Sequence, residues 1–147
     1  MARVTQNTKI GLLKRAPLFA DLSKKELIAV ARLADDLESP AGTVLVREGD
    51  IGHEFFVVVD GQVEFTRNGK PLAVDGPVEF FGEIALVEHT RRLATVTAKT
   101  DVQFFVLAER EFHQLMDANP GIDRKVLRAL ARRLLTLVEA EQHPTLA

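Results

Sequence analysis

The 147-residue chain predicts a mainly β fold with flanking helices, a β-roll or jelly roll closed by helices at both ends. Three observations carry this. Between Asp36 and Leu107, short apolar runs alternate with glycine-bearing turns, as in a barrel or roll of short strands. A helix-capping signal precedes that stretch, and two amphipathic helical patterns separated by Asn119-Pro120 follow it.

Leu12, Leu13, Leu18 and Phe19 supply apolar surface near the N-terminus, and Pro17 ends any helix there near Arg15, because the residue before proline is pushed out of the helical region. Ser23-Lys24-Lys25-Glu26 is a capping box: the serine hydroxyl accepts a backbone N–H and Glu26 reaches back to the cap. Leu27, Val30, Ala31 and Ala34 then share one helical face. Pro40-Ala41-Gly42 turns the chain into a strand over Thr43-Val44-Leu45-Val46, and Glu48-Gly49-Asp50 is a second turn. An apolar run from Glu54 to Val59, Asp60-Gly61 and a second run from Gln62 to Thr66 predict a hairpin. Asn68-Gly69 repeats the signal before a strand from Lys70 to Val74. Further strands are expected over Ala94 to Lys99 and Val102 to Leu107, with a turn near Thr100-Asp101.

A helix begins near Leu107, with Phe112, Leu115 and Met116 as its apolar face, and Asn119-Pro120 breaks it near Met116. A longer helix follows from Gly121 to about Glu141. Its Leu127, Leu130, Leu134 and Leu137 are spaced 3-4-3, and Leu135 and Val138 widen the stripe. This helix is expected to pair with its twin in a homodimer. Residues 1–147 read as one domain, with N-terminal helices and roll over about 12–107 and C-terminal helices over about 108–142.

Composition narrows the function classes. With 46% hydrophobic and 27% charged residues the chain is globular, and the lack of cysteine excludes a disulfide framework, a thiolate metal site and a thiol nucleophile. A net charge of −2 provides no cationic field for nucleic acid; the basic run Arg124, Lys125, Arg128, Arg132, Arg133 reads as a solvated helix face. No apolar run reaches the roughly 20 residues of a membrane span, and no secretory signal opens the chain, so the expected location is the cytoplasm.

The most informative stretch is Phe81-Gly82-Glu83-Ile84-Ala85-Leu86, followed by Arg91-Arg92-Leu93-Ala94-Thr95-Val96. A glycine, a short apolar helical turn, a glutamate and an arginine entering a strand are the parts of a pocket for one phosphate and one sugar hydroxyl. The stretch resembles the phosphate-binding cassette of cyclic-nucleotide-binding domains at Phe81, Gly82, Glu83, Ile84, Ala85, Leu86, Arg92, Ala94, Thr95 and Val96. It departs at Arg91, where proline is usual, and at Leu93, where a small or hydroxyl residue is usual. The order of Gly42, Gly49, Gly61 and Gly82 fits the same family, and the resemblance extends over about Leu12 to Val138. The Asn119-Pro120 break before Ala131-Arg132-Arg133-Leu134 resembles the catabolite activator branch.

The resemblance implies a ligand sensor without enzymatic activity. Phe81, Gly82, Glu83, Ile84, Ala85, Arg92, Leu93 and Ala94 would bind the nucleotide. Free N–H groups of the turn would face the phosphate, and Arg92 would supply a forked cation. Glu83 would accept the ribose 2′-hydroxyl and position Arg92. Arg91 is expected to point to solvent on a looser loop. Leu93 removes a hydroxyl that favours guanine, so the expected ligand is cAMP, with cGMP second. Arg133, Thr136 and Leu137 are candidate contacts from the last helix. By register, Leu137 and Val138 stand where the catabolite activator branch places hydroxyls against adenine. Apolar contact, a shifted Thr136, or a changed or lost ligand site each accommodate that. With the chain ending at Ala147, no DNA-reading helix is expected and the output goes to an unidentified downstream protein.

Two alternatives stand beside this reading. One is a ligand-free dimerisation module with a decayed pocket. The other is a cupin-like metal enzyme, disfavoured because His53-Glu54 stands alone and His53, His89, His113 and His143 form no ligand motif. His89 reads as a loop residue near the ligand and His113 as a boundary residue. No metal or catalytic residue is expected. The phenylalanines read as core, except that one of Phe80 and Phe81 faces the pocket, since neighbours on a strand alternate.

Overall fold

A computed structural model describes residues 4–74 and 77–141. The N-terminal segment forms α1 (Gln6–Arg15), a 3₁₀ turn over Pro17–Phe19, and α2 (Lys24–Ala31). The end of α1 at Arg15 and the capping box at Ser23 and Glu26 are as the sequence predicts, both hydrogen bonds of the box being made.

Eight strands follow: β1 (Asp35–Ser39), β2 (Val44–Val46), β3 (Glu54–Asp60), β4 (Val63–Arg67), β5 (Lys70–Pro71), β6 (Phe80–Phe81), β7 (Thr95–Ala98) and β8 (Val102–Ala108). They form two antiparallel four-stranded sheets, ordered β1-β8-β3-β6 and β2-β7-β4-β5. A 3₁₀ turn over Glu83–Leu86 follows β6, and α3 (Glu109–Ala118) and α4 (Pro120–Glu141) complete the chain. Among the described residues, no helix is long and apolar enough to cross a membrane.

The apolar runs of β3 and β8 reflect a sheet buried on both faces. Phe55, Val57, Phe105 and Leu107 pack against α1 to α4 in one core, with Phe19, Leu86, Phe112, Ile122 and Val126. Their alternate neighbours Phe56, Val58, Phe104 and Val106 face the second sheet, where they meet Phe81, Val96, Ala98 and Val102.

Two strand expectations need correction. Asp60-Gly61 does not make a hairpin within one sheet: β3 pairs with β8 and β6, whereas β4 pairs with β7 and β5. The turn carries the chain between sheets and tucks beneath the β7–β8 turn, where a Cβ on Gly61 would lie 2.3 Å from the Asp101 carbonyl oxygen. The strand expected to run to Val74 stops at Pro71, because proline lacks the N–H to continue a ladder. β1 and β6 carry no run long enough to mark them in advance. Asn68-Gly69 is a true hairpin turn, with φ of 53° and 77° between β4 and β5.

Helix α4 docks through Ile122, Val126 and Ala129, which are buried, with Leu130 partly so. Lys125 binds Glu26 at 2.6 Å and Arg132 pairs with Asp21, fixing the helix to the N-terminal segment. Leu127, Leu134, Leu135 and Leu137 remain exposed.

Candidate functional site

A cavity of about 510 Å³ opens between the β6–β7 segment, β4 and α4. Its wall includes Phe81, Gly82, Glu83, Ile84, Ala85, Arg92, Leu93 and Ala94, so every residue of the expected cassette set meets there. Phe81 is buried and stacks on Phe56 with ring centroids 4.7 Å apart. Phe80, on the opposite face of the sheet, packs against Phe55. Both nonetheless reach the cavity wall, because two-residue β6 ends at its rim.

The arginine is held by backbone on three sides. Arg92 Nη2 donates to the Glu54 carbonyl at 3.0 Å, and its Cζ lies 5.8 Å from the centroid of the Phe56 ring. A Cβ on Gly82 would stand 2.5 Å from Arg92 Nη1, and one on Gly52 would stand 2.8 Å from Nε. Gly82 also has φ of 82°, which other residues adopt only under strain. Two missing side chains thus form the slot in which the guanidinium lies. Burial pulls Arg92 below its ordinary pKa while the Glu54 carboxylate raises it. The group stays charged, as guanidinium does in proteins.

The backbone around Arg92 is tied down. Arg92 N–H donates to Asp50 at 2.7 Å, its carbonyl accepts from Gly49 N–H at 2.9 Å, and Ile51 bridges to Arg91. Arg91 points to solvent as expected, but the expectation of a looser loop is corrected. Arg91 is exposed, but its Nη1 donates to the Gly49 carbonyl at 2.7 Å and it lines the cavity rim.

Glu83 differs from expectation in its partner. The charge acting on it is that of Arg133, from α4, and it receives a backbone hydrogen bond from Leu18. Burial nonetheless raises its pKa above the ordinary 4.5, and its Oε2 is sealed from solvent without a hydrogen-bond partner among the described residues. A buried acceptor left unmatched is costly and awaits a donor. The 3₁₀ turn begins at this residue. Ala85 N–H is spent on the Gly82 carbonyl at 3.1 Å, which leaves the first two amides of the turn, Glu83 and Ile84, without a carbonyl inside it.

Of the three contacts expected from the last helix, Arg133 lines the cavity. Thr136 and Leu137 do not: the Thr136 hydroxyl donates to the Arg132 carbonyl at 3.0 Å, one turn back, and Leu137 lies on the exposed stripe. Leu93 is 72% exposed, and its carbonyl accepts from Arg67 Nε at 2.8 Å. Arg67 is a further guanidinium on the wall, beside Arg91, Arg92 and Arg133, and sequence reasoning missed it. Its signal was the alternation of β4, which puts Val63, Phe65 and Arg67 on one face.

On the far side of the 3₁₀ turn, His53, His89 and Glu109 converge, with one ligand-capable atom from each within 4.8 Å of the others. His53 therefore does not stand alone. His89 engages Glu109 rather than the cavity that holds Arg92, and His113 Nε2 lies 2.7 Å from the Leu86 carbonyl oxygen. His143 lies outside the described residues.

The family model for the cyclic nucleotide-binding domain matches residues 37–119. The chain belongs to that family. A cAMP-dependent protein kinase regulatory subunit of Schizosaccharomyces pombe is 34% identical over 107 residues, covering 72% of this chain and 26% of the relative. Among solved structures, the N-terminal domain of a transcriptional regulator from Streptomyces coelicolor A3(2) superposes with a TM-score of 0.79 at 32% identity, covering 88% of this chain and 94% of that one. The regulatory domain of Toxoplasma gondii PKA, in a co-crystal structure with cAMP, gives 0.67 at 29% identity, covering 75% and 44%. The chain spans about a quarter to a third of the length of the curated relatives it matches. The two-sheet roll with its C-terminal helix is the fold of this family.

Proposed function

We propose that the chain is a cyclic-nucleotide sensor domain that binds cAMP in preference to cGMP and passes occupancy on through α4, without catalysing a reaction itself. The observation that carries the reading is the slot formed by Gly52 and Gly82, which presents a half-buried Arg92 at the wall of a 510 Å³ cavity. A cyclic nucleotide carries a single negative charge on two exocyclic oxygens. Arg92 matches these with a planar fork, and the amides that open the 3₁₀ turn add neutral donors. Glu83 Oε2, which lacks a donor, suits the ribose 2′-hydroxyl after a small side-chain rotation. Leu93 offers no hydroxyl to guanine, the kinase regulatory relative is cAMP-dependent, and the Toxoplasma regulatory domain was crystallised with cAMP.

A route to α4 follows from charge. Glu83 is influenced by Arg133 of that helix. A bound phosphate and a hydroxyl donated to Glu83 change the field at Arg133, and thereby favour one docking of α4 over another. The shift is limited to the ligand's differential affinity for the two dockings. The exposed leucines of α4 support a homodimer, and the output reaches a downstream protein.

A ligand-free interaction module is the second reading, favoured by Thr136 and Leu137 lying away from the cavity and leaving α4 without a hydroxyl for the base. Thermal-shift titration separates the two. Ligand at 100 times its dissociation constant stabilises by about 2.7 kcal/mol. A saturable rise in Tm with cAMP, weaker with cGMP, is expected. No rise with either at millimolar concentration would establish the second reading.

A further inference from the structure

We infer that His53, His89 and Glu109 form a binding site for one divalent transition-metal ion of the zinc type, separate from the nucleotide cavity. The three residues come from distant stretches: the entry to β3, the gap between the 3₁₀ turn and Arg92, and the first residue of α3. Glu109 Oε2 faces His53 Nδ1 at 3.4 Å and Oε1 faces His89 Nε2 at 2.5 Å, so one carboxylate addresses both imidazoles.

The backbone sets this convergence. Glu109 N–H donates to the His53 carbonyl at 2.8 Å, locking two of the ligands together where β3 meets the start of α3. Gly52 N–H donates to the Thr90 carbonyl at 3.0 Å, which ties the neighbours of His53 and His89 to each other. Glu109 is anchored, with only 12% of its side chain exposed, while His53 and His89 are 61% and 67% exposed and can rotate to receive an ion.

The geometry suits a small borderline ion. Zinc sits 2.0–2.2 Å from nitrogen and oxygen ligands, which sets ligand atoms about 3.3 Å apart in a tetrahedron. The His53–Glu109 separation of 3.4 Å already matches. His89 Nε2, which now meets the other oxygen Oε1 at 2.5 Å, must turn toward an ion held at Oε2, a movement that rotation of its exposed imidazole supplies. Two imidazoles and a carboxylate suit zinc, cobalt or nickel rather than magnesium or calcium, and leave a fourth position open to water. The surrounding depression is also lined by Glu54, Asp117 and Arg110, so three carboxylates outnumber one guanidinium there and the balance favours a cation. His113 lines the same depression, but its Nε2 is engaged at the Leu86 carbonyl, so it is not counted as a ligand.

The test uses the full chain stripped with a chelator and kept free of nucleotide, so its outcome is independent of the cAMP reading. Titration with zinc by calorimetry, and with cobalt by visible absorption, should show one ion per chain. Zinc should also raise Tm, since the unfolded chain lacks the preformed site. His89→Ala, His53→Ala and Glu109→Gln should each weaken zinc binding at least about tenfold, the low end of what even outer-sphere partners contribute. The histidine variants should keep the metal-free Tm, as both side chains are exposed. His143→Ala should bind as the parent does. No saturable binding, binding undiminished in His89→Ala, or binding that follows His143 would overturn the inference.

Discussion

Arg92 shows how much of a binding site is built by what is absent. In the sequence, Gly82 reads as room for the ligand to approach the backbone. In the structure the space at Gly82 and Gly52 is occupied by the guanidinium itself. Nothing in the sequence separates these two uses of a glycine, and Gly52 had no signal at all. Adding a methyl at Gly82 would meet Arg92 and the Glu54 carbonyl, so Gly82→Ala should displace the arginine and weaken cAMP binding at least about tenfold in a calorimetric titration, with a lower metal-free Tm from strain at positive φ. Glu83 was legible as a pocket residue, but its raised pKa and its link to Arg133 depend on burial beneath the Pro17–Phe19 turn and α4, which no local pattern encodes. Because its folded pKa lies above 4.5, the native state holds that proton more tightly than the unfolded chain does. Its contribution to stability therefore falls as pH rises from 4.5 through the raised value. Glu83→Gln should flatten that slope and raise the ligand-free Tm at neutral pH. The same change should weaken cAMP binding about 10- to 100-fold, the equivalent of about 1.5–3 kcal/mol for a hydrogen bond to a charged acceptor. In the parent protein, cAMP affinity should decline as pH drops through the raised Glu83 value, because the carboxylate that receives the ribose hydroxyl is being protonated.

Helix α4 divides its apolar surface between two uses, and the sequence displayed only one. The leucine stripe was visible by its 3-4-3 spacing. The face that docks on the N-terminal segment is Ile122, Val126 and Ala129, one helical quadrant away, and it was hidden by smaller residues of ordinary composition. Leu127 and Leu134 are seven residues apart, exposed at 67% and 52%, and free of the roll. Two short heptads are marginal as an isolated coiled coil. Replacing both leucines with glutamine should convert dimer to monomer in light scattering at micromolar protein, while cAMP affinity stays within about threefold, since neither residue lines the cavity. A monomeric parent protein would remove the dimer from the proposal. The β3–β4 turn teaches a related lesson. Asp-Gly reports a tight turn, and local chemistry has no means of saying whether the chain returns to its own sheet or crosses to the facing one.

At the scale of the molecule, the fold was readable because strand runs, glycine turns and capping signals all agree. The relation between the sites was not. One two-sided sheet serves both cores, and the segment from β6 to β7 wraps around it so that Arg92 faces the nucleotide cavity while His89, three residues earlier, faces Glu109. Three-dimensional convergence of residues 20 to 56 positions apart leaves no mark in local spacing, which is why the histidine cluster is not visible as a sequence motif.

Everything functional rests on Arg92 as the cation that receives the cyclic phosphate. The direct test is calorimetric titration of cAMP into the parent protein, Arg92→Ala and Arg91→Ala under one buffer. Loss of a desolvated charge contact predicts that Arg92→Ala weakens binding by about 2–5 kcal/mol. Arg91→Ala, at an exposed rim residue, should lose less than about 1 kcal/mol. Equal losses in the two variants, or parent-like binding by Arg92→Ala, would contradict the account.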